Sequence, residues 1–291
     1  MVEKRPASNR WRKLGVIAGG GPLPGAIARH CMDRGDPFFV VGLNGFADEN
    51  VAAFPGACCG IAEAGKLIRI LKEENCDAVV LAGLVTRPDF SKLRPDWRGA
   101  ALLPKVIEAA RGGDGALLNV LVQTLESEGF IVIGAEEAHG GLCAGEGAMG
   151  AVAPNQSHLA DLRKAAAVVR ALGAFDIGQG AVVAHGHVLA VEAAEGTDMM
   201  LARCATFDDD MRGGAGLAGI LVKRPKPDQE LRVDLPTIGV ETIRGAAFAK
   251  LAGVAVEAGR AIIMDFDDVI RTADELGLFV YGFTLSEARE S

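Results

Sequence analysis

Three features of the 291-residue sequence predict an α/β fold in two domains. Apolar runs alternate with helical stretches through the first half, as a parallel sheet with crossover helices requires. A glycine-rich turn, Gly19-Gly20-Gly21-Pro22-Leu23-Pro24, follows the first apolar run and opens a helix. Between about 138 and 155 the composition shifts to small residues without periodicity, the mark of an inter-domain linker. A chain of this length suits two domains and buries about three quarters of its unfolded surface. Neither disulfides nor a structural metal are needed for its core.

Taken in order, residues 14–18 form a short apolar strand and the glycine turn leads into a helix ending near Arg34. Residues 38–43 read as a second strand, 65–75 as a helix and 78–84 as a third, buried strand. Two helices near 102–110 and 116–128 precede a strand at 130–134. This is a Rossmann-like N-terminal domain over 13–140, after a polar leader, 1–12, expected to be disordered. Residues 141–156 are expected as the linker. A distinct mixed α/β C-terminal domain then spans 157–285. It opens with a helix at 157–172, whose apolar positions recur at helical spacing. Residues 181–184 and 188–191 read as a hairpin around His185-Gly186-His187. A helix at 199–204, capped by Thr197 or Asp198, follows. Strands at 219–223, 253–256, 261–264 and 279–283, with helices at 241–252 and 267–276, complete the chain.

Charge and cysteine content exclude several function classes. The net charge of −8 and the lack of a basic block argue against nucleic-acid binding, which needs clustered Lys and Arg. Six cysteines with no C-x-x-C pair and no signal peptide predict reduced thiols in the cytoplasm. No run approaches the length of a membrane span.

Several features could carry chemistry. A strand, a glycine turn and a helix N-terminus together make an anion site. However, Pro24 stands at the third glycine position of the dinucleotide fingerprint, and the second strand ends Gly42-Leu43-Asn44 without an acid. NAD(P) binding is therefore disfavoured. Thr86-Arg87-Pro88 follows the third strand; Arg87 either grips a phosphate or lies solvated on its loop. Asp114 reads as a helix cap, His185 and His187 as a hairpin turn, and Asp208-Asp209-Asp210 as a solvated loop. Asp265, Asp267 and Asp268 read as caps and first-turn charges. The segment from Lys223 to Gly239 packs Lys, Arg, Gln and Asp between prolines. It is either a structural loop or a holder of diphosphate through its cations, with Asp234 on a divalent metal.

Several of these motifs carry a resemblance. They are Gly15-Val-Ile-Ala-Gly-Gly-Gly-Pro-Leu-Pro24, Gly83-Leu-Val-Thr-Arg-Pro88, Gly113-Asp-Gly-Ala-Leu-Leu118, Gly180-Ala-Val-Val…Val188-Leu-Ala-Val-Glu-Ala193 and Glu195-Gly-Thr-Asp198. Most specific is Leu221-Val-Lys-Arg-Pro-Lys-Pro…Gln229…Arg232-Val-Asp-Leu-Pro-Thr-Ile-Gly239. From about Leu14 to Phe283 the sequence resembles the LpxI-type UDP-2,3-diacylglucosamine pyrophosphatases of lipid A biosynthesis. The resemblance implies two domains with the ligand between them, a divalent metal (Mg²⁺ or another) and a homodimer built through the C-terminal domain. The implied reaction is hydrolysis of UDP-2,3-diacylglucosamine to UMP and 2,3-diacylglucosamine 1-phosphate.

On that basis Asp234 is expected to bind the metal and act with Lys223, which would neutralise charge on the transferring phosphoryl group, aided by Lys226 or Arg232. Gly20, Gly21, Pro22, Leu23, Leu84, Thr86 and Arg87 would place the nucleotide end. Gln179, Thr197, Asp198, Arg232 and Thr237 complete the expected substrate contacts. A two-tailed glycolipid nucleotide leaves open a transient contact with the inner membrane surface. Two rival readings remain: a non-catalytic nucleotide or lipid carrier, and a nucleotide-sugar oxidoreductase using the glycine turn.

Overall fold

The computed structural model describes residues 10–86, 89, 92–111, 114–212, 214, 216–227 and 229–288. Its chain divides into two compact units between Gly140 and Gly141. The leader through residue 9 and Arg87 lie outside the described residues.

The first unit comprises β1 (Leu14–Ala18), α1 (Leu23–Arg34), β2 (Phe38–Leu43), β3 (Gly56–Cys59), α2 (Ala64–Glu73) and β4 (Ala78–Ala82). It continues through α3 (Trp97–Arg111), α4 (Asp114–Ser127), β5 (Ile131–Ile133) and α5 (Ala135–Ala138). The five strands form a parallel sheet in the order β3-β2-β1-β4-β5. All five residues of β1 are buried, as a central strand covered on both faces requires. Val16 is in register with Val40 on β2 and Val80 on β4. The order reverses at β1 and β4, the position where open α/β sheets bind ligands. Strand β3, absent from the sequence reading, is a four-residue Gly-Ala-Cys-Cys edge without a β-branched residue. His30 and His139, which show no pattern in sequence, stack with ring centroids 3.9 Å apart.

The second unit contains β6 (Gly147–Ala148), α6 (Gln156–Gly173), β7 (Gly180–Ala184), β8 (His187–Val191), α7 (Gly196–Cys204) and α8 (Asp209–Arg212). Then follow β9 (Ile220–Lys223), β10 (Thr237–Ile238), α9 (Val240–Phe248), β11 (Gly253–Glu257), β12 (Ile262–Ile263), α10 (Phe266–Leu276) and β13 (Phe279–Phe283). Six strands make a mixed sheet, β6-β13-β11-β9-β7-β8, and β10 and β12 form a separate two-stranded one. Within it β9, β11 and β13 run parallel while β6, β7 and β8 are antiparallel to their neighbours. The stretch expected as a linker thus contributes β6, an edge strand of this sheet.

Alternation along β9 divides the core. Leu221 packs with Met200, Leu201, Ile243 and Val269 of α7, α9 and α10. Ile220 and Val222 pack with Leu162, Ala165 and Val169 of α6 on the other face. Helix α6 begins with a reciprocal cap: Asn155 Oδ1 accepts the His158 N–H at 3.0 Å, and His158 Nδ1 accepts the Asn155 N–H at 3.3 Å. The β7–β8 hairpin turns on His185 (φ 48°) and Gly186 (φ 77°), with the Asp161 carboxylate accepting both their N–H groups. This is the turn expected for these histidines.

Two local expectations need correction. Neither Thr197 nor Asp198 caps α7: the helix starts earlier, at Gly196, so both lie in its first turn, and Glu195 holds the cap position with its carboxylate on Arg203. Nor is the Asp208–Asp210 run wholly a solvated loop. Asp209 opens α8 and accepts both Arg212 and Lys250 at 2.9 Å.

Candidate active site

In the first unit the glycine turn follows β1, and α1 starts at Leu23 with Pro22 in the cap position. The backbone donors of its three glycines are already engaged. Gly19 N–H reaches Ala82 O at 2.8 Å and Gly20 N–H reaches Leu84 O at 2.9 Å. Gly21 N–H donates to Asp48 Oδ2 at 2.7 Å. Asp48 is the residue sequence reasoning missed, because it stands five positions beyond β2 rather than at its end. A carboxylate seated on the turn weakens it as an anion cradle, since a phosphate would meet like charge. Leu84 and Thr86 are exposed on the loop after β4.

The second unit gathers more of the expected residues. Lys223 ends β9, opposite Gly180 of β7 and Val256 of β11, and is only 6% exposed. Its ammonium donates to Thr197 Oγ1 at 2.7 Å and to the Thr237 carbonyl at 3.4 Å. Glu192 Oε2 lies 3.9 Å away. It is thus the backbone of Thr237, rather than its side chain, that faces the lysine. Burial pushes the Lys223 ammonium below the ordinary lysine value, opposed by the charges of Glu192, Asp198 and Asp234. Strand alternation sends the next residue, Arg224, to the α6 face. There it meets Glu257 at 3.0 Å and the Ala166 carbonyl at 3.5 Å.

Asp234 sits half-buried on the loop before β10. Two amides orient its carboxylate: Gln229 Nε2 donates to Oδ2 and to the Asp234 carbonyl, and Gln179 Nε2 donates to Oδ2 at 3.3 Å. Gln179 is placed by β7, which it immediately precedes. The remaining expected cations are paired elsewhere. Arg232 grips Glu230 through Nε at 2.8 Å and Nη2 at 2.7 Å, and Lys226 pairs with Asp176. The structure therefore brings together Lys223, Thr197, Asp198, Thr237, Asp234 and Gln179. It adds Glu192 and Gln229, and ties Arg232 and Lys226 to carboxylates. Glu192 stands in the quoted Val188–Ala193 motif, but its role could not be read there, because only strand pairing sets it beside Lys223.

A model of the LpxI N-terminal domain matches residues 13–142, and one of the LpxI C-terminal domain matches residues 145–281. The chain belongs to the LpxI family. The Lys223–Asp234 cluster lies inside the LpxI C-terminal match, and the glycine turn with Asp48 inside the LpxI N-terminal match. A relative from Caulobacter vibrioides, "UDP-2,3-diacylglucosamine pyrophosphatase LpxI", is 53% identical over 272 residues, covering 93% of this chain and 97% of that protein. Among solved structures, CobK precorrin-6A reductase aligns with 94% of this chain and 87% of its own at 15% identity. The TM-score there is 0.30, a likeness that carries no argument.

Proposed function

We propose that the protein hydrolyses the diphosphate of UDP-2,3-diacylglucosamine to UMP and 2,3-diacylglucosamine 1-phosphate in lipid A biosynthesis. The observation that carries this reading is the buried Lys223 ammonium within electrostatic reach of Asp234, in a chain 53% identical to a pyrophosphatase of that name. A cation held in a dry, preorganised setting stabilises charge developing on a phosphoryl group far better than one in water. Lys223 is so held: a hydroxyl and a carbonyl accept its hydrogen bonds, and the Glu192 carboxylate stands 3.9 Å off.

The donor chemistry at Asp234 fits a divalent cation such as Mg²⁺, which takes one or two protein carboxylates together with substrate phosphate oxygens. Among the described residues no three His, Cys, Asp or Glu side chains form a ready-made cage, so Asp234 would be the principal protein ligand. The bound ion supplies Lewis-acid neutralisation of the diphosphate. Gln229 and Gln179 keep the Asp234 carboxylate aimed. Residues Gly19–Leu23 and the Leu84–Thr86 loop take the nucleotide end. With Asp48 on the turn, the diphosphate belongs with Lys223 rather than with the glycines. No helix among the described residues is long and apolar enough to cross a membrane. The same reading has the enzyme working in the cytoplasm as a homodimer built through the C-terminal domain, with at most transient contact with the inner membrane.

The deciding experiment measures UMP release from UDP-2,3-diacylglucosamine by the purified protein and by Asp234→Ala, with chelator and with Mg²⁺ restored. Metal-dependent release that falls at least about 100-fold in the variant, with an unchanged melting profile, is expected. No UMP from folded wild-type protein would overturn the reading and favour a non-catalytic carrier. Light scattering on the same sample reads the dimer, and a monomer would remove that part.

A further inference from the structure

One carboxylate beside Lys223 has no part in the chemistry described so far. Glu192 follows β8, is only 12% exposed at its side chain, and anchors its own N–H on the Gly180 carbonyl at 2.8 Å. Its Oε1 accepts the Thr197 hydroxyl at 2.9 Å, and Thr197 Oγ1 in turn accepts the Lys223 ammonium at 2.7 Å. Its Oε2 is buried without a hydrogen-bond partner among the described residues, 3.9 Å from the Lys223 Nζ.

The space for this carboxylate is made by the chain itself. A Cβ on Gly180 would come within 2.6 Å of Glu192 Oε2, so a larger residue there would displace the carboxylate from this position. The order of donors is fixed as well. A hydroxyl has one proton, and Thr197 commits it to Glu192, which turns its lone pairs toward the ammonium. Charge-assisted bonds of this kind are short and directional. Without the carboxylate, the hydroxyl can rotate and the ammonium loses both its oriented acceptor and its counter-charge.

We propose that Glu192 is a positioning residue that acts through Thr197 to hold the Lys223 ammonium at the end of β9. Its catalytic consequence rests on the assignment of Lys223 to diphosphate hydrolysis; the positioning itself is a property of the protein without substrate. The two are tested by separate measurements.

The first measurement is reductive methylation of the whole protein with formaldehyde and cyanoborohydride, read lysine by lysine by mass spectrometry. Lys223 is expected to label about tenfold faster in Glu192→Ala than in wild type, and by a smaller factor in the isosteric Glu192→Gln, while other lysines keep their rates. Wild-type labelling of Lys223 in both variants overturns the proposal. So does a common rise at all lysines in both, since that marks a general structural role. The second measurement is kinetic. Glu192→Gln is expected to lower kcat about tenfold with KM within about twofold, and to cost nothing further in a Lys223→Met background. A loss that persists undiminished in that background overturns it. Wild-type protein that hydrolyses nothing would sink the proposed function, while the labelling would still judge Glu192.

Discussion

The glycine turn of the first unit and the Lys223 cluster of the second both follow the carboxyl ends of sheet strands, yet they treat charge in opposite ways. At the turn the Gly19, Gly20 and Gly21 donors are consumed by Ala82, Leu84 and Asp48. At Lys223 a buried ammonium touches only a hydroxyl and a carbonyl directly. The motif that looks most like a phosphate site in sequence is thus occupied by the protein's own carboxylate. The motif that looks like a loop holds a buried ammonium bonded to neutral oxygens, with the Glu192 carboxylate 3.9 Å away. Backbone donors satisfied internally build a fold, whereas a desolvated ammonium whose hydrogen bonds go to neutral oxygens still presents charge to a substrate.

The largest test of that contrast compares two single variants. Lys223→Met is expected to lower kcat by about 100- to 1,000-fold, the range for losing one preorganised electrostatic group. Asp48→Asn keeps an acceptor for the Gly21 N–H and is expected to change kcat less than about threefold. Steady-state hydrolysis of UDP-2,3-diacylglucosamine reads both, and equal losses would break the comparison.

A second test separates function from stability on adjacent residues of one strand end. Arg224 is buried against Glu257, which is 1% exposed and also accepts Arg260 at 2.8 Å. Glu257→Ala leaves that guanidinium uncompensated and is expected to cost about 3–5 kcal/mol in urea unfolding. Lys223→Met should fall well short of that. A larger loss of stability at Lys223 than at Glu257 would make the lysine the structural member of the pair.

The smallest effects are expected at the glycine turn and at the loop after β4 that packs on it. Gly83 (φ 92°) has the Gly20 carbonyl 2.5 Å from any added Cβ, whereas Gly21 (φ 86°) has open space. Gly83→Ala combines strain with a backbone clash and should cost about 3 kcal/mol. Gly21→Ala carries strain alone, about 1 kcal/mol. Urea midpoints that fail to rank the two in this order would show that the turn is looser than its hydrogen bonds imply.

Much of the architecture was legible because buried strands and amphipathic helices write their period into the sequence. β1, β2, β9 and β13 are apolar runs, and α6 and α10 repeat at helical spacing. Strand β3 was not legible. Its Gly-Ala-Cys-Cys has no such signature and becomes a strand only because Val40 to Leu43 offer it a paired edge. Residues 141–156 read as a linker for the same reason: β6 is two residues long and exists through pairing with Tyr281 and Gly282.

The candidate site divides along the same line. Lys223, Asp234, Thr197 and Gln179 could be named from their motifs, since residue type and neighbours along the chain suffice to mark a charge. Asp48 on the turn, and the role of Glu192 beneath the lysine, could not, because Asp48 lies 27 positions beyond Gly21 and Lys223 lies 31 positions beyond Glu192. By itself the sequence determined the two-domain α/β organisation and which side chains could carry charge. Only the tertiary structure decided which of those charges are cancelled. Pairing depends on distances of a few ångströms that strand order and register set, and period along the chain carries no record of them.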